Sequence, residues 1–324
     1  MHHRWLPGLL LLALLAWLTG LTVGSVAISP ARLWAAITGS TDDYTNSIIA
    51  LRLPRVAAAF ACGALLALAG VLLQALLRNP LADPYLIGVS GGASVAGLIA
   101  LLLGLGSISS GVLAFVGALL TTAAVYSIGM NAGRFDRATV ILSGVAVAGG
   151  CAALVALLMV WAPPEHLRGM LFWLMGDVGY ASAPYATLVI AAILVVLSWT
   201  IAPRIDVLML GDVKAASLGV APQRLSAWLY IVSALAAAIA VAQCGTIGFV
   251  GLLVPHFLRL VGVNLHRALI PAAALGGGIF LVLTDTLARS VVAPVQLPIG
   301  AVTATLGVPM LLYLLLRASR FSRT

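Results

Sequence analysis

Three sets of residues in this 324-residue chain have types that could do chemistry. The first is thiol and imidazole: Cys62, Cys151 and Cys244, with His256 and His266. The cysteines lie in apolar stretches and share no ligand spacing, and His256 has no second histidine at i+3 or i+4. Packing as small hydrophobes and a hydrogen-bonded structural histidine are the readings these spacings favour, so no metal and no cofactor of its own is expected. The second set would bind nucleotide. No G-x-x-x-x-G-K-[ST] loop occurs, and the only lysine, Lys214, sits in Gly211-Asp212-Val213-Lys214; any ATP hydrolysis must come from another chain. The third set is arginine. Arg52-Leu53-Pro54-Arg55 and Arg289, the latter one helical turn after Asp285, could make directional pairs with carboxylates. An i,i+4 pair with Asp285 would neutralise part of Arg289.

The elements that must position these residues are set by composition. Hydrophobic residues make up 62% of the chain and charged ones 8%, at a mean hydropathy of +1.15. A soluble domain carries about 25% charged residues. Soluble enzymes, nucleic-acid binders and disordered chains are therefore excluded, and the apolar residues would fill about ten bilayer spans at about 20 residues each. The runs fall near 5–27, 56–76, 86–105, 111–130, 138–162, 184–203, 225–243, 246–263, 268–290 and 300–317. The expected fold is an all-α transmembrane bundle forming one domain over 1–324. The first run exceeds the apolar core of a signal peptide and is read as a retained span.

Orientation follows from the basic residues, whose excess makes the net charge +8. With the N-terminus inside, twelve lie on the inner side (Arg4, Arg78, Arg134, Arg137, Arg204, Lys214, Arg224, Arg259, Arg267, Arg317, Arg320 and Arg323). Five lie outside: Arg32, Arg52, Arg55, Arg168 and Arg289. The positive-inside rule then puts both termini in the cytoplasm. Arg52, Arg55 and Arg289 share the outer face, either as a docking ring for an acidic protein surface or snorkelling to lipid headgroups.

Six motifs occur in order from about residue 50 to 316. They are Arg52-Leu53-Pro54-Arg55; Gln74 with Arg78-Asn79-Pro80-Leu81-Ala82-Asp83-Pro84 and Gly88; and Gly211-Asp212 with Ala215 and Leu218-Gly219. Next come Gly248-Phe249-Val250-Gly251-Leu252 with Pro255-His256 and Arg259; Asp285 with Ala288-Arg289; and Leu297-Pro298-Ile299-Gly300 with Thr303 and Gly307. This set resembles the permease subunits of ABC importers for iron chelates, haem and vitamin B12. The resemblance implies a homodimer of ten-span subunits in a bacterial inner membrane, two cytoplasmic ATPase subunits that use ATP and Mg, and a periplasmic substrate-binding protein. It also implies that Asn79 and Leu81 belong to a cytoplasmic gate, although Asn79-Pro80 read alone is only a turn. A second gate segment would fall at Arg137-Ala138-Thr139, where relatives commonly have small hydroxyl residues.

The polar stretch 204–224, with Gly211, Asp212, Ala215, Leu218 and Gly219, is implied to be the segment that couples to the ATPase. Its residues suggest two short helices broken at Gly219, with Asp212 capping the first and the small Ala215 and Ala216 leaving room for a partner; read alone, it could be a solvated loop. His166, Arg168 and Trp173 lie on the outer side, as a vestibule for an anionic ligand or as interfacial anchors. An ion-coupled secondary transporter is the rival reading, and it needs ionisable residues near the midplane. Asp285 is the only carboxylate within an expected span, and lies near its outer end.

Overall fold

A computed structural model describes residues 5–40, 42–131 and 134–321. Arg4 and Arg323, counted above as inner charges, lie outside the described residues. The fold is an all-α membrane bundle around one buried helix. Its first elements are α1 (Trp5–Thr22), a short α2 (Pro30–Ile37) and the central α3 (Asp43–Leu77). A 3-10 turn at Pro84–Ile87 leads into α4 (Val89–Leu102), then α5 (Ser107–Gly129). Two-residue strands β1 (Met130–Asn131) and β2 (Arg134–Phe135) pair antiparallel ahead of α6 (Arg137–Trp161). Next come α7 (Pro164–Met175), α8 (Pro184–Thr200), α9 (Ala202–Met209) and α10 (Asp212–Ser217). The chain finishes with α11 (Pro222–Cys244), α12 (Val250–Leu260), α13 (His266–Ala288) and α14 (Ile299–Phe321).

Among the described residues five helices (α3, α5, α6, α11 and α13) are long and apolar enough to cross a bilayer, or six if the pair α8–α9, bent by 56°, is one span. Three expectations need correction. The second span was placed at 56–76, but α3 has 35 residues, about 52 Å, and starts before Arg52. The RLPR motif therefore lies inside a helix, with Pro54 in its interior. The first span ends at Thr22, not near 27, and α2 follows it. The expected span 246–263 holds only 11 helical residues, about 16 Å.

That broken segment shows how irregular backbone is tolerated at membrane depth. Residues 245–249 are non-helical, with Gly245 and Phe249 at φ +68° and +71°. The Tyr85 hydroxyl accepts from the Ile247 amide at 2.8 Å and donates to the Ile247 carbonyl at 3.0 Å. The Thr246 hydroxyl donates to the Leu174 carbonyl, and the Cys244 carbonyl accepts from the Asp177 amide at 2.9 Å. In hydrocarbon each such group left unpaired would cost several kcal/mol.

From Val56 to Leu77 almost every residue of α3 is buried, so the helix is apolar all round instead of amphipathic. It meets its neighbours backbone to backbone. A methyl group on Gly63 would clash with the Gly277 carbonyl of α13, and one on Gly70 with the Gly251 carbonyl of α12. Small residues at such crossings permit the close approach that holds membrane helices together. Gly63→Val should therefore force α3 and α13 apart and lower thermal stability of the purified protein by about 1–3 kcal/mol, the usual cost of overpacking. Gly8→Ala, where an added methyl meets nothing, should leave the melting temperature unchanged.

Candidate functional site

At the end of the bundle expected above to be the outer one, two arginines pair with two carboxylates and a third, Arg52, lines the same cleft. Arg55 on α3 reaches Asp285 of α13 through Nε at 3.0 Å and Nη2 at 2.9 Å. Its Nη2 lies 3.2 Å from Asp177, and Nη1 donates to Gln296 at 3.3 Å. Arg289 Nε lies 3.3 Å from Asp285 in the expected i,i+4 pair, and its Nη2 donates to the Gly20 carbonyl. Arg52 donates to the carbonyls of Leu21 (2.9 Å), Thr22 (3.2 Å) and Val26 (2.5 Å), capping the C-terminus of α1. Arg52 and Arg289 are buried. The three expected to form an exposed ring are thus largely occupied within the chain, although all line a cleft of about 430 Å³ with Tyr44 and Gln296. Three guanidiniums against two carboxylates leave one positive charge there.

Close by, the cleft lined by Glu165, Arg168, Tyr180 and Gln296 measures about 590 Å³. Arg168 is exposed over the Phe172 ring, 5.8 Å from its centroid. His166 is half-buried and does not line that cleft. Trp173 is 2% exposed, its ring packed on Gly97 of α4, so it faces neither a vestibule ligand nor the lipid interface.

At the inner end α3 finishes at Arg78, whose φ of +51° turns the chain into Asn79-Pro80. Asn79 Oδ1 accepts from the Leu81 amide at 2.9 Å, closing the turn that two prolines frame. Buried Gln74 ties this loop to α12: its Nε2 donates to the carbonyls of Gly251 (3.2 Å) and Ala82 (3.4 Å), and its Oε1 accepts from Arg259. Asp83 caps the 3-10 turn through the Tyr85 amide at 2.8 Å. Burial pushes its carboxyl up to about 6, against that bond. The charged form is thus disfavoured by folding, a cost absent below the ordinary carboxylate value and complete above about pH 6.

Asp212 does not cap α10. It binds Arg78 at 2.5 Å and Arg137 at 3.2 Å. Arg78 also donates to the Leu208 carbonyl of α9 at 2.8 Å, and Arg137 Nε to the Leu76 carbonyl of α3 at 2.8 Å. Partial burial opposes its charge, but Arg137 and Arg78 outweigh that and hold the carboxyl below its ordinary value. The clamp's contribution is complete above that ordinary value and is lost only as pH falls through the lowered one. Gly211 and Gly219 stand at φ +111° and +81° and bound α10, so the two short helices are α9 and α10, and the break between them is at Gly211. Ala215 is buried, while Val213, Ala216 and Leu218 are exposed. In the second loop segment, Ala138 and Thr139 bond to Asp136.

Sequence reasoning missed Asp177, Tyr85 and the Asp206–His266 pair (2.6 Å), which ties α9 to α13. It also missed that Cys62 and Cys244, free thiols packed in the core, place their sulfurs 3.0 Å apart. Only Gln74 had a signal, its place in a motif.

The bundle is thus a continuous buried post with ionic clasps near both ends, and no group of three potential metal ligands occurs among the described residues. A profile of the FecCD transport family matches residues 10–317. The chain belongs to the FecCD transport family. It is 38% identical over 322 residues to the vitamin B12 import system permease protein BtuC of Salmonella paratyphi A (strain ATCC 9150 / SARB42), covering 98% of this chain and 96% of the relative. The Salmonella typhi protein of the same name is 38% identical over 327 residues, with the same coverage. An ABC transporter assigned to the metal-chelate type, solved facing inward, superposes with a TM-score of 0.83 at 29% identity, over 97% of this chain and 99% of that one. PsaBC from Streptococcus pneumoniae, solved with a Fab, shares the fold alone, at TM-score 0.58 and 16% identity over 81% of this chain and 90% of that one. The protein is a multi-pass inner-membrane permease and not an enzyme; ATP is hydrolysed in a separate subunit.

Asp285 is 1% exposed. Asp285→Ala would strand Arg55 and Arg289 and should cost about 3–5 kcal/mol, the usual penalty for breaking a buried pair. Asp177→Asn, at a partly exposed position, should cost under about 1 kcal/mol. Thermal melts of the detergent-purified variants measure both.

Proposed function

We propose that this chain passes a bulky metal chelate (a ferric siderophore, haem or cobalamin) from a periplasmic binding protein to the cytoplasm, as a homodimer driven by two ATP-binding subunits. The observation that carries this reading is the Asp212 clamp. It joins the cytoplasmic helices α9 and α10, with Val213 and Leu218 exposed for a partner, to Arg78, the residue immediately before the Asn79–Leu81 loop. Displacing α10 would thus pull directly on a gate formed by Asn79 and Leu81. The relatives named for vitamin B12 and the metal-chelate type structure support the chelate class.

The topology proposed is ten spans with both termini cytoplasmic. To the five long helices it adds α1, α4 with its 3-10 turn, α8, α14 and the broken segment ending in α12. The last, with five non-helical residues ahead of its 11 helical ones, reaches at most about 33 Å. Large apolar faces of α5 and α6 are left uncovered by the chain, a surface for lipid and a second copy. At the outer end, an acidic side chain of the binding protein would enter the cleft lined by Arg52, Arg55 and Arg289 and share guanidiniums that carry one uncompensated charge. Arg168 would face the ligand in the neighbouring vestibule.

Reconstituted with its ATPase and binding protein, the permease should take up chelate with ATP when the proton gradient is collapsed. Uptake that instead needs the gradient and proceeds without ATP would establish ion coupling. Asp212→Arg adds a third cation against Arg78 and Arg137, and Gly219→Pro cannot adopt φ +81°. Both should retain ATP hydrolysis and lose at least tenfold in uptake; normal transport by both would make the segment an ordinary loop. Charge reversal at Arg52, Arg55 and Arg289 together should abolish binding-protein docking while the ATPase still assembles. Unchanged docking affinity would discard the arginine contact.

A further inference from the structure

Away from the clasps, α1, α8 and α13 enclose a groove of about 530 Å³, within the usual range for ligand sites of about 300–1,000 Å³. Its walls are apolar, from Leu6 and Leu9 of α1, Val196 of α8 and Ala268 of α13. Its polar end is a single pair. The Arg267 guanidinium lies over the Trp199 ring, 5.3 Å from the centroid, and the Trp199 indole donates to the Arg267 carbonyl at 3.0 Å. Arg267 is exposed, and among the described residues no carboxylate within ion-pair distance compensates it. Asp206, which reaches the adjacent residue, is taken by the amide and ring of His266.

Two physical features say what belongs there. Arg267 occupies the first turn of α13, which carries no acidic residue, so its charge adds to the positive end of the helix dipole instead of opposing it. An anion beside it would relieve both. Trp199 sits where an amphipathic ring marks the headgroup level, and the stacked ring holds the guanidinium in place. An apolar trough running from a fixed, uncompensated cation matches a molecule with one anionic head and a long hydrocarbon tail.

We propose that this groove is a binding site for an anionic phospholipid, its phosphate on Arg267 and an acyl chain against Leu9, Val196 and Ala268. The orientation proposed above puts it in the cytoplasmic leaflet; the affinity does not depend on that orientation or on the identity of the transported substrate.

The test uses the assembled transporter in nanodiscs carrying photoactivatable phosphatidylglycerol or phosphatidylcholine with the same diazirine-bearing acyl chain. Labelled peptides are mapped by mass spectrometry, and uptake is assayed separately. Phosphatidylglycerol should label the peptides around Leu9, Val196 and Ala268 roughly fivefold more than phosphatidylcholine, the effect of about one basic residue at an anionic surface. Arg267→Gln should reduce that ratio to about one, and Arg267→Lys should keep most of it. Ala268→Trp should fill the groove and remove labelling by both probes. Equal labelling by the two probes in the unmodified protein would overturn the proposal. So would an unchanged ratio in Arg267→Gln, protection by inorganic phosphate, or absence of label because a second copy covers the groove.

Discussion

The structure depends on contact between backbones. Where α3 crosses α13 at Gly63 and Gly277, and α12 at Gly70 and Gly251, no side chain separates the helices. A bilayer offers no hydrophobic force between apolar helices, so association must come from close van der Waals packing and from polar groups that have nowhere else to go. The glycines supply the first. Gln74, which knits three segments, and Tyr85 and Asp285, which each tie two, supply the second. α3 is consequently the common axis against which the other helices pack, and the two ion-pair clusters are built near its termini.

The two ends use charge differently. At the outer end Asp285 and Asp177 neutralise most of three arginines, leaving a small residual charge in a narrow cleft. A partner carboxylate docking there, as proposed above, would have to share guanidiniums already engaged, so geometry would discriminate more than net attraction. At the inner end the clamp is half exposed and Asp212 is shared by two arginines from different segments. Ion pairs of that exposure contribute little to stability. Their value is connectivity: they link the helices that face the cytoplasm to the turn at the end of α3.

Much of this was legible in the sequence. The runs predicted at 111–130, 138–162 and 225–243 correspond closely to α5, α6 and α11, because continuous apolar stretches bounded by polar residues leave little freedom. The Asp285–Arg289 pair followed from helical spacing alone. What stayed hidden depends on residues far apart in the chain. Arg55 finds Asp177 and Asp285 across 122 and 230 positions, and Arg78 finds Asp212 across 134. Hydropathy marked where α3 becomes apolar but not where it begins, since its first turns carry the polar Asp43, Thr45, Asn46 and Ser47. It read 246–263 as a span because composition cannot distinguish helix from irregular backbone whose polar groups are satisfied by a tyrosine 162 residues away. Trp173 looked like an interfacial anchor; only the opposing Gly97 shows that it fills the core.

If α3 pivots on α13 at the Gly63 crossing, it acts as a seesaw. About 16 Å of helix lies between that fulcrum and Arg52 on one side, and about 22 Å between it and Arg78 on the other. A tilt of about five degrees would swing the outer end by roughly 1.4 Å and the inner end by roughly 2 Å in the opposite sense. Opening at one membrane face and narrowing at the other would then be a single rigid motion, with no signal needing to pass through soft side chains between them.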